Sequence, residues 1–209
     1  MISLRRFLAR LYLGGWLFRI NEAVGRLWLS WFRFIYPGLS VGAQPQIWGR
    51  FDVMMFPESR IAIGNHLHMV SSSSRSAITL FSRSSLTAFA GAQIEIGNGV
   101  GLNGTTVTSK KRIQIGDRTM VAPNVIIVDS DFHAPWPPEA RWTSSTADTD
   151  REVVIGKNVW IGMNTVILKG STIGDNTIIG ACSLVTGDIP ANVIAGGSPA
   201  KVLRPLGPS

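Results

Sequence analysis

From Val153 the chain reads VVIGKNVWIGMNTVILKGSTIGDNTIIGACSLVTGDIP, with aliphatics at Ile155, Ile161, Ile167, Ile173, Ile179 and Val185, six apart without slippage. Four residues after each stand Val159, Thr165, Ser171, Thr177, Ser183 and Ile189, mostly small or β-branched. Glycine follows the aliphatic at Gly156, Gly162, Gly174 and Gly180. No helix period fits a repeat of six; two inward positions followed by a corner do. Each hexad then forms one side of a triangular coil, and coils stack at roughly the 4.8 Å spacing of paired strands. Small residues suit the corners of so narrow a prism. The expected fold is an all-β solenoid.

The same grammar recurs upstream, less regularly. Ile96 and Leu102 are six apart in IEIGNGVGLNG, as are Ile115, Val121 and Ile127 in IQIGDRTMVAPNVII. From Leu102 to Ile115 is thirteen residues, which places a single-residue insertion near Ser109 and Lys110. IAIGNH around Ile63 and IWGRFDV around Ile47 read as ragged first coils. Two stretches break the pattern: the serine-rich run Val70–Ser85, and Ser130–Arg151. The second opens with DSDFHAPWPP and presents one imidazole, His133, between acids and prolines.

At 209 residues the chain is long enough for one main domain with a substantial core. One cysteine, Cys182, rules out an internal disulfide framework and suits a reducing compartment. We read Cys182, in a turn of small residues, as packing. A net charge of +7 raises the question of nucleic acid, but its distribution argues against that. Residues 1–36 hold Arg5, Arg6, Arg10, Arg19, Arg26 and Arg33 against Glu22, which accounts for +5 of the +7.

No uncharged run in that segment reaches the roughly 20 apolar residues of a spanning helix. Leu11–Phe18 ends in Arg19 with no small-residue cleavage pattern, which argues against a signal peptide. On a helix, Arg19, Glu22, Arg26, Ser30 and Arg33 fall on one narrow polar stripe. The rest of residues 16–36 is largely apolar and rich in tryptophan, and Gly14-Gly15 separates a shorter basic helix before it. Such a helix suits a membrane interface, its arginines near anionic headgroups; packing on its own domain or on a sister subunit is the other reading. The expected organisation is a helical segment over 1–40 and a solenoid over 41–209, with an inserted loop at 130–152.

VWIGMN (159–164), IIGACSLVTGDIP (178–190) and AGGSPAKVLRP (195–205) resemble the hexapeptide-repeat acyltransferases. Within that superfamily the chain is most similar to the sugar O-acetyltransferases, including galactoside, maltose and polysaccharide or lipopolysaccharide enzymes. The likeness covers roughly 45–205 and leaves out residues 1–36. It implies a left-handed parallel β-helix, a homotrimer with active sites between subunits, and acetyl-CoA as co-substrate, with no metal. It also implies residue roles. The DFH segment matches the position of the catalytic histidine, making His133 the base. In the donor site, Trp160 points outward, and the backbone at Gly162 and Met163 meets the pantetheine or thioester. Ala181 and Thr186 line the donor arm, and Lys201 and Arg204 approach the phosphates. Asn103 falls near the acceptor hydroxyl. The chain departs at Gly187, where many relatives carry lysine.

The chemistry agrees with those roles. An unperturbed imidazole titrates near pH 6.5 and accepts a hydroxyl proton at neutral pH. Acyl transfer from a thioester needs that base and preorganised donors for the oxyanion, for which backbone N–H groups at the coil turns are candidates. Asp129 or Asp131 is placed to orient the ring, Asp131 being nearer, unless it is simply a solvated acid. Trp136 and Trp142 either stack on a sugar or pack the loop, and Arg141 is a candidate for the acceptor. His66 and His68 fall on one side of a strand and raise a metal reading, as in the gamma carbonic anhydrases. The histidine pair of that class is missing around His133. The expected function is O-acetylation of a sugar of a bacterial surface glycan or its lipid-linked precursor, at the cytoplasmic membrane face. An amino-sugar acceptor, an acyl-carrier-protein donor and a non-catalytic membrane scaffold are the alternatives.

Overall fold

The computed structural model describes residues 16–142, 146 and 148–207. The shorter basic helix expected before Gly14 lies outside the described residues. Among the described residues twenty strands wind into three sheets, the faces of a left-handed parallel β-helix. The first face holds β1 (Leu39–Val41), β4 (Arg60–Ile63), β7 (Gln93–Ile96), β10 (Arg112–Ile115), β13 (Val153–Ile155) and β16 (Thr172–Ile173). The second holds β2 (Gln46–Trp48), β5 (His68–Val70), β8 (Gly101–Asn103), β11 (Met120–Val121), β14 (Trp160–Ile161) and β17 (Ile178–Ile179). It ends in the antiparallel hairpin of β19 (Val193–Gly197) and β20 (Ala200–Pro205). The third holds β3 (Asp52–Met55), β6 (Ser85–Ala88), β9 (Thr106–Ser109), β12 (Ile126–Val128), β15 (Val166–Ile167) and β18 (Leu184–Val185).

The hexads account for the core. Ile155, Ile161, Ile167, Ile173, Ile179 and Val185 are all buried, and so are the six residues four places after them. The small ones among these also cap the coils: Thr165 Oγ1 donates to Gly180 O and Thr177 Oγ1 to Pro190 O. Between the two inward positions the chain turns through a residue at positive φ, filled by Asn158, Asn164, Gly170, Asn176 and Cys182. Asparagine and glycine tolerate that left-handed region best. Cys182 therefore stands exposed on a corner, which corrects its reading as a packing residue.

The single insertion near Ser109 is also corrected. Pairing of Leu102 with Val121 and of Val107 with Ile127 leaves coil three one residue short at its second corner, where Gly104 turns at positive φ. Pairing of Ile96 with Ile115 then leaves it two residues long at Lys110–Lys111. Counting a period returns only the net of the two.

Helix α1 (Trp16–Ile35) caps the first coil along β2. Gly25 sits so close to Ile47 that a Cβ there would fall inside the contact distance of its carbonyl. Leu29 is buried, Trp28 and Phe32 pack partly against the core, and Phe32 meets Phe51. Ile20, Leu27, Trp31 and Phe34 face outward, Phe34 at 82% exposure. The apolar surface thus divides between its own domain and an uncovered face. Among the described residues no helix is long and apolar enough to cross a membrane.

Candidate active site

The His133 loop leaves the third sheet after β12 and returns to the first at β13, so it hangs from the corner between them. Its stem is tied on several sides. Asp129, fully buried, accepts from Ser109 Oγ at 2.6 Å, Lys110 N at 2.7 Å and Lys111 N at 2.9 Å, bracing the two extra residues of coil three. Ser130 Oγ lies 3.0 Å from Thr146 Oγ1 and accepts from Phe132 N at 2.9 Å. Phe132 turns at positive φ, with its ring 6.0 Å from Phe89, which stacks on Phe56 at 5.0 Å. Asp131 pairs with Lys169 Nζ at 2.5 Å, and Lys169 also donates to Thr149 O.

Beyond this stem His133 enters an open cleft of about 610 Å³, lined with it by Ala134, Pro135, Pro138, Arg141 and Trp142. The structure therefore brings Arg141 and Trp142 together with His133. Trp136 is exposed on the same loop. Neither acid orients the ring here: Asp129 is committed to coil three and Asp131 to Lys169. What positions His133 is the backbone on either side of Phe132.

The residues expected at the donor site stand elsewhere. Trp160 is half exposed on the outer face of the second sheet, in a register row that runs from Met120 through Trp160 and Ile178 to Ile194 and Arg204. Lys201 lies opposite Gly196 in the same hairpin, and both cations are exposed. Gly162 and Met163 stack on Ala181 and Cys182 at the corner between the second and third sheets: Gly162 N donates to Ile179 O and Cys182 N to Met163 O, each at 2.8 Å. A Cβ on Gly162 would lie 2.5 Å from Ala181 N.

That corner differs from its neighbour in one respect. Between the first and second sheets, the amide two places after the inward aliphatic is bound from the next coil: Asn98 N by Asp117 Oδ1 and Lys157 N by Asp175 Oδ1, each at 2.7 Å. Met163 is the counterpart of Lys157, and Ala181 stands where the carboxylate would be. The Met163 N–H therefore meets no acceptor among the described residues. Asn103 lies at the same corner two coils earlier, its buried Oδ1 without a hydrogen-bond partner among the described residues.

Thr186 falls on the other side, one strand past Leu168 at the corner that carries the His133 loop. In one chain, then, Asn103, Gly162, Met163 and Ala181 occupy one edge of the third sheet, and His133, Arg141 and Thr186 belong to the opposite edge. His66 turns at positive φ before β5, so it does not share a strand face with His68, contrary to the HxH expectation. Among the described residues no group of three or more His, Cys, Asp or Glu is placed to hold a metal. Lys169, Phe89 and Thr146 went unread in the sequence; only the lysine, at a corner adjoining the inserted loop, left a signal.

The model of the bacterial transferase hexapeptide (six repeats) family matches residues 152–187. Galactoside O-acetyltransferase of Escherichia coli K12 is 41% identical over 117 residues, 56% of each chain. WbbJ of the same organism, a candidate lipopolysaccharide biosynthesis O-acetyl transferase, is 35% identical over 109 residues, 47% of this chain and 53% of its own. The chain spans about half the length of the curated relatives it matches. A solved galactoside acetyltransferase in complex with coenzyme A superposes with a TM-score of 0.51 at 25% identity, covering 90% of this chain and 82% of its own.

Proposed function

We propose that this hexapeptide-repeat chain is an acetyltransferase that moves the acetyl group of acetyl-CoA to a sugar hydroxyl, with His133 as general base. The observation that carries the reading is the stem of the loop: buried Asp129, the Ser130–Thr146 contact and the ring contacts of Phe89 with Phe56 and Phe132 hold one imidazole at a cleft, with no hydrogen-bond partner among the described residues. A histidine serving packing needs no such support.

His133 takes the proton of the acceptor hydroxyl as its oxygen attacks the thioester carbonyl. The Met163 N–H, lacking an acceptor, is a donor for the oxyanion that forms. The C–S bond then breaks and the imidazolium returns its proton to the departing thiolate, leaving an acetyl ester and free coenzyme A. The outward row of Met120, Trp160 and the half-buried Ile178 suits the pantetheine arm, and Lys201 and Arg204 suit the phosphates. Arg141 and Trp142 hold the sugar, while Asp131 acts through Lys169 and not on the ring.

His133 and Met163 stand at opposite edges of the third sheet, so the complete site takes His133 from one subunit and the Met163 corner from the next, in a homotrimer. The outward face of α1 favours an acceptor made at the cytoplasmic face of the membrane, a surface polysaccharide or its lipid-linked precursor. Calorimetric titration with coenzyme A tests the donor half without a choice of acceptor. One saturable site per chain is expected; no binding up to about millimolar, near 4 kcal/mol of binding free energy, would turn the reading toward a carrier-protein donor or a scaffold.

A further inference from the structure

The outward face of α1 has two borders, and they are built differently. At about 100° per residue, Arg19, Arg26 and Arg33 run along one side of the face made by Ile20, Leu27, Trp31 and Phe34. Asn21 and Val24 lie along the other side, which opens on a second cleft of about 460 Å³ between α1 and the serine-rich excursion 71–83. Arg50, Arg83, Ser72, Ser73 and Ser82 line it, and among the described residues no carboxylate does. Arg50 sits over the Trp28 ring, its Cζ 4.9 Å from the centroid, which holds the guanidinium in place without neutralising it. Neither Arg50 nor Arg83 forms an ion pair among the described residues. Two unneutralised guanidinium groups among hydroxyls form a receptor for a phosphate oxygen set.

We propose that this cleft receives the phosphate of an anionic phospholipid when the outward face of α1 lies at the membrane surface. The proposal rests on the membrane-facing reading of α1 given above. Charge complementarity supports it: the apolar face is bordered by arginines on both sides, as headgroups surrounding an interfacial helix require. The serine-rich run, a break in the repeat, gains a role as one wall of the cleft.

The test is co-sedimentation of the full chain with vesicles of phosphatidylcholine alone and with equal parts of phosphatidylcholine and phosphatidylglycerol. Variants are Arg50→Gln with Arg83→Gln, Arg83→Gln alone, and Trp31→Ala with Phe34→Ala. Among the described residues no hydrogen bond, ion pair or ring contact joins Arg83 to α1, so its single variant stays informative even if loss of the Arg50–Trp28 contact disturbs the helix. The proposal predicts that the double arginine variant binds anionic vesicles roughly ten- to thirtyfold more weakly than the unaltered chain, and Arg83→Gln severalfold, with binding to neutral vesicles unchanged. If the arginine variants bind anionic vesicles normally while the Trp31/Phe34 variant does not, the membrane reading stands and the cleft proposal falls. If the unaltered chain binds neither vesicle, the membrane reading itself fails and the lipid site with it. Binding of inorganic phosphate without vesicles, lost in the arginine variants, would assign the cleft to a soluble phosphate and overturn the lipid source.

Discussion

Asp131 Oδ2 lies 2.5 Å from Lys169 Nζ, which ties the residue two before His133 to the next coil of the solenoid. Lys169 also holds Thr149 O near the loop's return, so one ammonium links both ends of the excursion to the rigid prism. Both groups are partly exposed, so the pair contributes little to stability, about 1 kcal/mol or less. Its effect belongs in the rate. Lys169→Met is expected to lower kcat severalfold with little change in Tm, and Lys169→Arg to restore most of it. Equal kcat in all three proteins would remove Lys169 from the positioning of His133.

Gly162 and Gly187 stand at opposite edges of the third sheet and differ in what an added side chain would meet. A Cβ at Gly162 meets backbone of the next coil, whereas one at Gly187 meets nothing within 4 Å. Gly162→Ala is expected to destabilise by about 1–3 kcal/mol, visible in denaturant titration. Gly187→Lys is expected to leave stability unchanged and, following the resemblance, to tighten coenzyme A binding severalfold by calorimetry. Unchanged affinity would mean that position 187 does not face the donor.

Asp117 supplies a pH dependence. Its carboxyl is held below the usual carboxylate range, first by the backbone N–H of Asn98, then by the Asn98 side chain and the charges of Lys157 and Arg118. A group depressed on folding stabilises the fold above its unfolded pKa, near 4, and loses that contribution as pH falls through the folded value. The Tm of the unaltered chain should therefore decline more steeply below about pH 4 than that of Asp117→Asn. Parallel curves would show that this corner bond is neutral to stability.

The proposed trimer, in which His133 and the Met163 corner come from different subunits, makes a prediction about mixed assemblies. His133→Ala and Asn103→Ala each remove one edge of every site. Unfolded together and refolded, they should regain part of the activity that neither has alone, because some interfaces pair an intact His133 with an intact Asn103. No recovery on mixing would place the whole site within one chain.

The solenoid was legible because a six-residue period leaves a narrow prism no freedom: each inward position from Ile155 to Val185 could be read before any coordinate. The positive-φ corners were on view too, in IGKN, IGMN and IGDN, where asparagine recurs three places after the aliphatic. The compensation between Gly104 and Lys110–Lys111 was not, since a shortened corner and a lengthened one cancel in a count. Nor was the choice of α1 between its two faces, because Leu29 and Leu27 are chemically alike and only the position of Ile47 tells them apart. For His133 the sequence suggested the base but assigned its support to an acid on the ring. Asp129 and Asp131 instead bind residues of coils three and five, distant in sequence and brought to the loop only by the winding of the chain.

The most direct test of the account is acetyl transfer by His133→Ala, followed as coenzyme A release from acetyl-CoA with a galactoside acceptor, beside calorimetric binding of coenzyme A. With His133 as the base, kcat falls about 10²–10⁴-fold while donor affinity and Tm stay unchanged. Turnover equal to that of the unaltered chain would contradict it.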